Sequence, residues 1–311
     1  MAGHSFSFNF ALDGGNDNGS SANGTNGATV ATTTTASGPM RPGERFHWTP
    51  SRSAELAFAA VTVPTAPPRT FEIVNTTDAG FLARTGSISS ILTTSDLQTG
   101  VYEGGFKLWE CAIDLVQYVD ALLAKTGAAM SAKVLELGCG HGLPGIHALQ
   151  RGTVRSDRID TVNVCTEGAE EVVFMDYNKE VLELTTCPNV LHNTGGDMSL
   201  YAKASFYAGD WSSVSTLMRD QERKSEGDLQ FDLILTAETI YTEAMIKRHL
   251  KRSPASRALV AAKKYYFGTG GSVQQFMDMV AADGELAAEL VWEERDFRSN
   301  IRDIVEVKWV E

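Results

Sequence analysis

Five short apolar segments, each followed by a turn and a helix-like pattern, constrain the fold of this chain more than any other feature. Continuous apolar strands that alternate with helices are typical of a parallel sheet covered by helices on both faces. We therefore predict an α/β fold built on a doubly wound, mostly parallel sheet. The five predicted strands are residues 133–137, 172–175, 205–208, 231–236 and 258–262.

The two ends of this alternating region differ from its middle. Residues 106–123 place apolar side chains at helical spacing, and Gly127 follows as a stop signal, which predicts an amphipathic helix before the first strand. Residues 289–293 and 304–310 leave no room between them for a crossover helix, so we predict an antiparallel hairpin at or near the edge of the sheet. The predicted sheet then has seven strands.

The N-terminal region has a different composition. Residues 11–45 are rich in Gly, Asn, Ser, Thr and Ala and offer few side chains to bury, so we predict that residues 1–45 are disordered. Residues 46–70 contain Pro50, Pro64, Pro67 and Pro68, which indicates an extended tether. The catalytic domain is expected to span residues 71–311.

Bulk properties limit the functions that this chain can have. It contains no run of 18 apolar residues and no secretory signal, so we expect neither a membrane span nor export, and a cytoplasmic and nuclear location. The four cysteines are far apart, which argues against a disulfide framework or a metal site. A formal net charge of −12 argues against direct nucleic-acid binding and favours a basic protein partner for what we expect to be a monomer.

A glycine-rich turn follows the first predicted strand directly. Residues 134–142 read VLELGCGHG, with Glu136 two positions before Gly138 and with Gly140 two positions after it. The turn is not the dinucleotide fingerprint GxGxxG, because Leu143 stands where the third glycine would be. An acidic residue followed by this glycine spacing is the pattern of S-adenosylmethionine sites.

Acidic residues also follow the next two predicted strands. Asp176 could accept both hydroxyls of a ribose, or it could cap the following helix as Asn178 also could. Asp210 could bind an adenine amino group while Trp211 packs on the ring, or the pair could form a turn with a core Trp. Because ligands bind at the carboxyl edge of doubly wound sheets, the three strand ends together predict an S-adenosylmethionine-dependent methyltransferase.

Several longer blocks resemble the histidine protein methyltransferase family, a branch of the seven-strand, class I, Rossmann-like methyltransferases. The opening segment FSFNF at residues 6–10 is also similar. The resemblance covers the chain from Thr99 to its end, and its matching blocks are GVYEGGFKLWEC at residues 100–111, DYN at 176–178, TAETIY at 236–241 and KYYFGTGG at 264–271.

The resemblance implies a set of residues that line the S-adenosylmethionine pocket beside Glu136 and Gly140. It also implies methyl transfer to the tele nitrogen of a histidine in a large-subunit ribosomal protein. His141 and Ala237 stand where the family commonly has Ser, and residues 242–257 form a shorter segment than the family's. The implied pocket residues are Lys107, Leu108, Trp109, Glu110, Cys111, Gly138, Asp176, Tyr177, Asn178, Gly209, Asp210, Trp211 and Ala237.

Glu238 and Tyr241 are the candidate catalytic residues, because they follow the fourth strand and could hold the imidazole of a histidine acceptor. Alternatively, Glu238 caps the next helix and Tyr241 packs in the core. Two other functions remain open. A protein lysine methyltransferase on the same scaffold would use a carboxylate here to deprotonate an ammonium. A non-catalytic ribosome-assembly factor would bind the cofactor only for stability.

Overall fold

The computed structural model describes residues 41–49, 56–92, 98, 101–151, 168–240, 242–265, 272–294 and 301–310. Its strands form one large sheet and a separate two-stranded hairpin. The strands are β1 (Glu44–Phe46), β2 (Phe58–Val63), β3 (Arg69–Val74), β4 (Lys133–Leu137), β5 (Glu171–Asp176), β6 (Ala204–Ala208), β7 (Leu233–Ala237), β8 (Arg257–Lys263), β9 (Leu286–Glu293) and β10 (Arg302–Trp309).

The large sheet has eight strands in the order β1-β6-β5-β4-β7-β8-β10-β9. Its five central strands pair in parallel, from β6 across β5, β4 and β7 to β8. Strand order reverses at β4, which places a crevice beside the carboxyl end of β4, where doubly wound sheets bind ligands. The predicted α/β fold is confirmed, and so is the antiparallel hairpin, because β9 pairs with β10.

Helices cover both faces of the sheet. The helix predicted before the first strand begins at Glu110 rather than Phe106, and it ends at Gly127, which adopts the left-handed φ of 64° typical of a helix C-terminus. The helices are α1 (Ala79–Arg84), α2 (Ser89–Leu92), α3 (Glu110–Thr126), α4 (Leu143–Gln150), α5 (Lys179–Val181), α6 (Cys187–Asn193), α7 (Met198–Tyr201), α8 (Trp211–Thr216), α9 (Glu243–His249) and α10 (Val273–Asp283). A π-helical stretch, Leu182–Thr186, joins α5 to α6.

The sheet has one strand more than the seven predicted, and this strand begins inside the segment 1–45 that we predicted to be disordered. Strand β1 adds an eighth strand, pairing antiparallel with β6 so that Arg45 lies opposite Tyr207. The backbone amide of Asp210 also donates to the carbonyl of Arg41 at 3.0 Å. Residues 41–46 are therefore part of the folded domain, while the predicted disorder of residues 1–40 lies outside the described residues.

The tether predicted for residues 46–70 also needs correction. It contains β2, which pairs with β3 in a hairpin; β2 ends before the proline cluster at Pro64, Pro67 and Pro68, and β3 begins after it. The hairpin docks on α6, where the backbone amide of Val74 donates to the Asn189 side chain at 2.7 Å. The prolines therefore occupy the connection between two strands rather than interrupting a strand.

Two apolar cores lie on the opposite faces of the sheet. One combines side chains of α3, α4 and α6 with Val134 and Phe174, and the other packs α9 and α10 against Leu135 and Val173. Alternate residues of β4 and β5 thus face opposite layers, as expected for strands buried on both sides. In the described ranges, no helix combines the length and apolar character that crossing a membrane requires.

Candidate cofactor and acceptor site

The glycine turn after β4 is built from backbone conformations that side chains disfavour. Gly138, Gly140 and Gly142 have φ values of 61°, 51° and 74°, in the left-handed region that glycine adopts readily. A Cβ atom at Gly138 would lie only 2.9 Å from the Cγ2 atom of Thr239. The chain can therefore bring its backbone close to a ligand here only with glycine.

Glu136 supports this turn from beneath. Its Oε2 atom accepts a hydrogen bond from the backbone amide of Gly145 at 2.8 Å, in the first turn of α4. Complete burial raises the pKa of Glu136 well above its usual range, and the Gly145 hydrogen bond opposes that shift. In the described contacts, Glu136 fixes the start of α4 relative to β4, which is a positioning role for the predicted pocket.

Asp176 lies at the carboxyl end of β5 and contacts the turn directly. Its Oδ2 atom accepts from the backbone amide of Gly140 and its Oδ1 atom accepts from that of Asn178, each at 3.0 Å. Burial raises the pKa of Asp176 to about 6, while these backbone hydrogen bonds lower it. The carboxylate is thus ionised above neutral pH and held in one orientation beside the glycine turn.

Asn178 holds the loop that precedes α3. Its Oδ1 atom accepts from the backbone amide of Glu103 at 3.0 Å, and its Nδ2 atom donates to the carbonyl of Val101 at 2.8 Å. Asn178 occupies the N-cap position of α5, but its side chain makes no capping hydrogen bond there. The amide instead ties residues 101–103 to the end of β5.

Asp210 and Trp211 follow β6. Asp210 is the N-cap of α8, where its Oδ1 atom accepts from the backbone amides of Ser212 and Ser213 at 3.0 and 3.3 Å. Trp211 packs against the apolar core on one face of the sheet. These contacts match the alternative interpretation of a capped turn with a packed Trp, and adenine binding by the pair stays a prediction. Gly209, the residue before this pair, has a positive φ of 113°, which glycine adopts readily.

A charged cluster lies where the start of α3 meets the end of β7. The Cys111 thiol donates to Oε1 of Glu238 at 2.9 Å, and the Lys263 ammonium lies 3.6 Å from the same oxygen. Burial and the neighbouring Glu238 carboxylate raise the pKa of Cys111 well above its usual range. Glu238 thus joins α3 to β8, and its side chain is only 10% exposed.

The backbone of Glu238 is strained. Its φ of 63° lies in the left-handed region, which costs energy for a residue with a Cβ atom. Its amide donates to the carbonyl of Ala261 at 2.8 Å, which holds the residue in place directly after Ala237, the last residue of β7. Strained residues of this kind cluster at functional sites, which supports the prediction that Glu238 faces the reacting groups.

Two ammonium groups lie close to the Trp109 ring. The Nζ atoms of Lys107 and Lys263 lie 4.6 and 4.5 Å from the centre of its ring, within the range of cation–π attraction. The Trp109 indole also donates to the carbonyl of Gly104 at 3.1 Å. Leu108 packs against the apolar core of α3 and α4, so this short segment is fixed at several points.

Glu110 lies at the outer rim of the cluster. Its carboxylate is 53% exposed and pairs with Nη1 of Arg302 at 3.3 Å, while Arg302 also binds the buried carboxylate of Asp114. Lys263 and Arg302 belong to the site's charge network, yet sequence reasoning missed both. Neither stands in a recognisable motif, and only the pairing of β10 with β8 brings them to this edge.

His141 lies in the glycine turn and is buried. Its Nδ1 atom accepts from the Asn189 amide at 3.2 Å, which places the ring proton on Nε2, and Nε2 donates to the carbonyl of Phe106 at 2.9 Å. Burial lowers the pKa of His141 to about 4, so the ring is neutral at physiological pH. His141 therefore fixes the loop that carries Lys107 and Trp109.

The predicted residues are thus assembled from separate elements. A Cβ atom at Gly140 would lie 3.1 Å from the carbonyl of Gly105, and one at Gly105 would lie 3.2 Å from Asp176, so the loop before α3 rests on the glycine turn. Tyr241 lies outside the described residues, and its predicted role stays a prediction. Across the described ranges, no three His, Cys, Asp or Glu side chains group as metal ligands.

The chain is similar in sequence to known methyltransferases. Residues 93–253 match a family model described as lysine methyltransferase. A histidine protein methyltransferase 1 homolog of Dictyostelium discoideum is 37% identical over 224 residues, which cover 70% of this chain and 62% of the relative. The homolog of Bos taurus is 34% identical, over 61% of this chain and 52% of the relative.

A third curated relative, histidine protein methyltransferase 1 of Schizosaccharomyces pombe, is 32% identical over 58% of each chain. In all three comparisons the match spans less than two thirds of the relative's own length. Residues 93–253, which the family model matches, include the glycine turn, the end of β5 and the end of β7.

Proposed function

Since the chain belongs to the histidine protein methyltransferase family, we propose that it transfers a methyl group from S-adenosylmethionine to a histidine of a protein. The observation that carries the cofactor assignment is the contact of Asp176 with Gly140 at the carboxyl edge of the sheet. An ionised, oriented carboxylate beside a side-chain-free turn suits the ribose of a nucleoside. The donor set of this edge therefore fits the cofactor.

Separate parts of the cofactor would meet separate elements of the site. Asp176 would accept from the ribose hydroxyls, and residues 209–211 would lie near the adenine. The backbone of the Gly138–Gly140 turn would approach the amino-acid moiety, with its conformation fixed by Glu136. The acceptor would then approach the charged cluster at Glu238 and Trp109, on the far side of the turn from Asp210.

S-adenosylmethionine supplies a methyl group bonded to a positively charged sulfur. A neutral imidazole nitrogen is already a nucleophile at physiological pH, since the unperturbed pKa of histidine is about 6.5. Its lone pair forms the new nitrogen–carbon bond while the carbon–sulfur bond breaks, and the other ring nitrogen then gives up its proton. The protein's main task is to hold the two reactants in line.

Glu238 is suited to orient the acceptor ring. If its carboxylate accepts a hydrogen bond from the Nδ1–H of the acceptor, the lone pair is on the tele nitrogen, which then points away from Glu238. Glu238 would also receive the proton after transfer or pass it to solvent. This arrangement supports tele specificity, and the fixed contacts with Cys111 and Lys263 keep the carboxylate in place.

The charges at this end of the site favour histidine over lysine as the acceptor. The ammonium groups of Lys107 and Lys263 both lie close to the Trp109 ring, and Lys263 already pairs with Glu238. A lysine acceptor arrives as a third ammonium and must lose its proton before it can attack, whereas an imidazole arrives neutral. Like charges at close range disfavour the ammonium.

We further propose a basic large-subunit ribosomal protein as the substrate, methylated before or during ribosome assembly in the cytoplasm or nucleus. The family resemblance supports this, and so does the net charge of −12, which suits a basic protein partner better than exposed RNA. Attack requires the acceptor nitrogen about 3 to 3.5 Å from the methyl carbon, so the acceptor loop must be free when it binds.

Two measurements test this proposal. With labelled S-adenosylmethionine, the purified enzyme should modify free large-subunit ribosomal proteins far better than mature ribosomes, and equal labelling of both would contradict the proposed timing. Replacing Glu238 with Gln should lower kcat while the affinity for S-adenosylhomocysteine stays near that of the wild type. An unchanged kcat would remove Glu238 from the reaction.

A further inference from the structure

We propose that residues 41–43, here called the strap, form a wall of the cofactor site and that Arg41 positions Tyr177 for cofactor binding. This inference rests on the proposed S-adenosylmethionine dependence. It assigns a binding role to a segment that precedes both the family-matched region and the predicted catalytic domain. The observations are contacts of the strap with three separate elements, each of which carries predicted cofactor residues.

The Arg41 side chain contacts two of these elements. Its guanidinium lies 5.2 Å from the centre of the ring of Tyr177, the residue that follows Asp176 in the sequence. Its Nη1 atom lies 3.6 Å from the Glu180 carboxylate. Its Nη2 atom donates to the carbonyl of Val101 at 2.8 Å, and the same carbonyl accepts from Asn178. Arg41 thus links the loop before α3 to the residues that follow β5.

The backbone of the strap contacts the third element. The Arg41 carbonyl accepts from the amide of Asp210 at 3.0 Å, and the Gly43 amide donates to the Ser213 hydroxyl at 2.7 Å. A Cβ atom at Gly209 would lie 2.4 Å from the carbonyl of Pro42, so the strap packs directly on the backbone of Gly209. The absence of a side chain at Gly209 is therefore needed for strap docking.

These contacts place the strap across the carboxyl ends of β5 and β6, beside the predicted ribose and adenine sites. A guanidinium on the face of Tyr177 fixes the plane of that ring, and the shared Val101 carbonyl fixes the neighbouring loop. A preorganised wall binds a ligand more tightly, because less conformational freedom is lost on binding. Loss of Arg41 should therefore weaken cofactor binding, although Arg41 itself does not contact the transferred methyl group.

Arg45 provides a matched control on the same segment. Its guanidinium lies 5.8 Å from the centre of the Tyr207 ring, and Nη1 lies 3.4 Å from the Glu222 carboxylate. Each arginine thus makes one aromatic contact and one ion pair, but Arg45 has no contact with the glycine turn, with Asp176 or with the loop before α3 in the described part of the chain. Removing either side chain should lower Tm by a similar amount.

The test is calorimetric titration of S-adenosylhomocysteine into the wild type, Arg41→Ala, Arg41→Lys and Arg45→Ala. We expect Kd to rise about tenfold for Arg41→Ala, which equals about 1.4 kcal/mol and lies within the cation–π range. Arg41→Lys should recover part of the affinity, because it keeps the charge. Arg45→Ala should bind as the wild type does.

Equal affinity of Arg41→Ala and the wild type would overturn the strap's role while leaving the proposed cofactor intact. Equal weakening in Arg41→Ala and Arg45→Ala would also overturn it, because the effect would then reflect general loss of stability. A wild-type protein that does not bind S-adenosylhomocysteine would instead refute the proposed methyltransferase function, and the strap's role with it.

Discussion

Replacing Asp176 with Asn should weaken cofactor binding strongly and lower stability less. The carboxylate accepts from the amides of Gly140 and Asn178, one at each oxygen. An Asn side chain has one oxygen and one NH₂ group, so one of these backbone donors would face another donor in either orientation of the amide. Fewer acceptor positions would also remain for the ribose hydroxyls.

The magnitude follows from the hydrogen bonds that change. Hydrogen bonds to charged groups contribute about 1.5 to 3 kcal/mol each, so losing one to the ribose should raise Kd by roughly 10-fold to 150-fold. The effect on folding should be smaller, because Asn also removes a buried charge. The raised pKa of Asp176, about 6, shows that burying this charge is unfavourable.

Calorimetric titration of S-adenosylhomocysteine at pH 8, where Asp176 is ionised, measures this effect. Asp197→Asn is the matched control, because Oδ1 of Asp197 accepts from the amides of Ser199 and Leu200 at the exposed start of α7. Asn caps helices about as well as Asp, so the control should bind as the wild type does. A folded Asp176→Asn protein with wild-type Kd would refute the assigned ribose contact.

Three further predictions concern pH, the glycine turn and the N-terminal segment. Burial lowers the pKa of His147 to about 3, so its neutral ring favours the folded state fully only well above pH 6.5 and progressively less as pH falls towards 3. In urea titrations the stability of the wild type relative to His147→Leu should therefore fall by about 1.6 kcal/mol between pH 6.5 and 5, and a constant difference would contradict this. Gly138→Arg should abolish binding of S-adenosylhomocysteine in calorimetry, with a lower Tm because its Cβ atom meets Thr239, whereas near-native affinity would remove the turn from the site. Deleting residues 1–40 should leave Tm unchanged within error in thermal scans. Deleting residues 1–46 should lower Tm by several degrees, because β1 is lost. Equal Tm values for the two deletion variants would show that β1 adds no stability.

The central sheet was predictable because burial on both faces imposes continuous apolar sequence. The strand predicted at residues 133–137 matches β4 at both ends, and the other parallel strands differ by at most two residues at either end. The apolar pattern contains this information locally, since a strand covered on both faces consists mostly of apolar side chains.

The N-terminal strands were not predictable in the same way. The β1 sequence Glu44-Arg45-Phe46 contains one apolar residue, and its conformation comes from pairing with β6, which is far away in the chain. The β2–β3 hairpin was hidden because a cluster of prolines was interpreted as a tether, although it lies in the connection between the strands. Tertiary pairing overrides weak local preference in both cases.

The candidate site was predictable only as far as its motifs extend. Asp176 and Gly138 stand in patterns whose chemistry is readable, and the structure places Asp176 on the turn that Gly138 begins. Lys263 and Arg41 could not be found in this way, because their roles depend on strand order and on the docking of β1. Longer-range contacts of this kind leave no signal in a single sequence.

The identity of the methylated amino acid is the most direct test of the proposed function. Purified enzyme and labelled S-adenosylmethionine are incubated with free large-subunit ribosomal proteins, and the labelled protein is hydrolysed for amino-acid analysis. We expect the label in tele-methylhistidine, at a level that Asp176→Asn reduces and Asp197→Asn does not. Label in methyl-lysine would instead refute histidine as the acceptor, and a complete lack of label would refute the proposed activity.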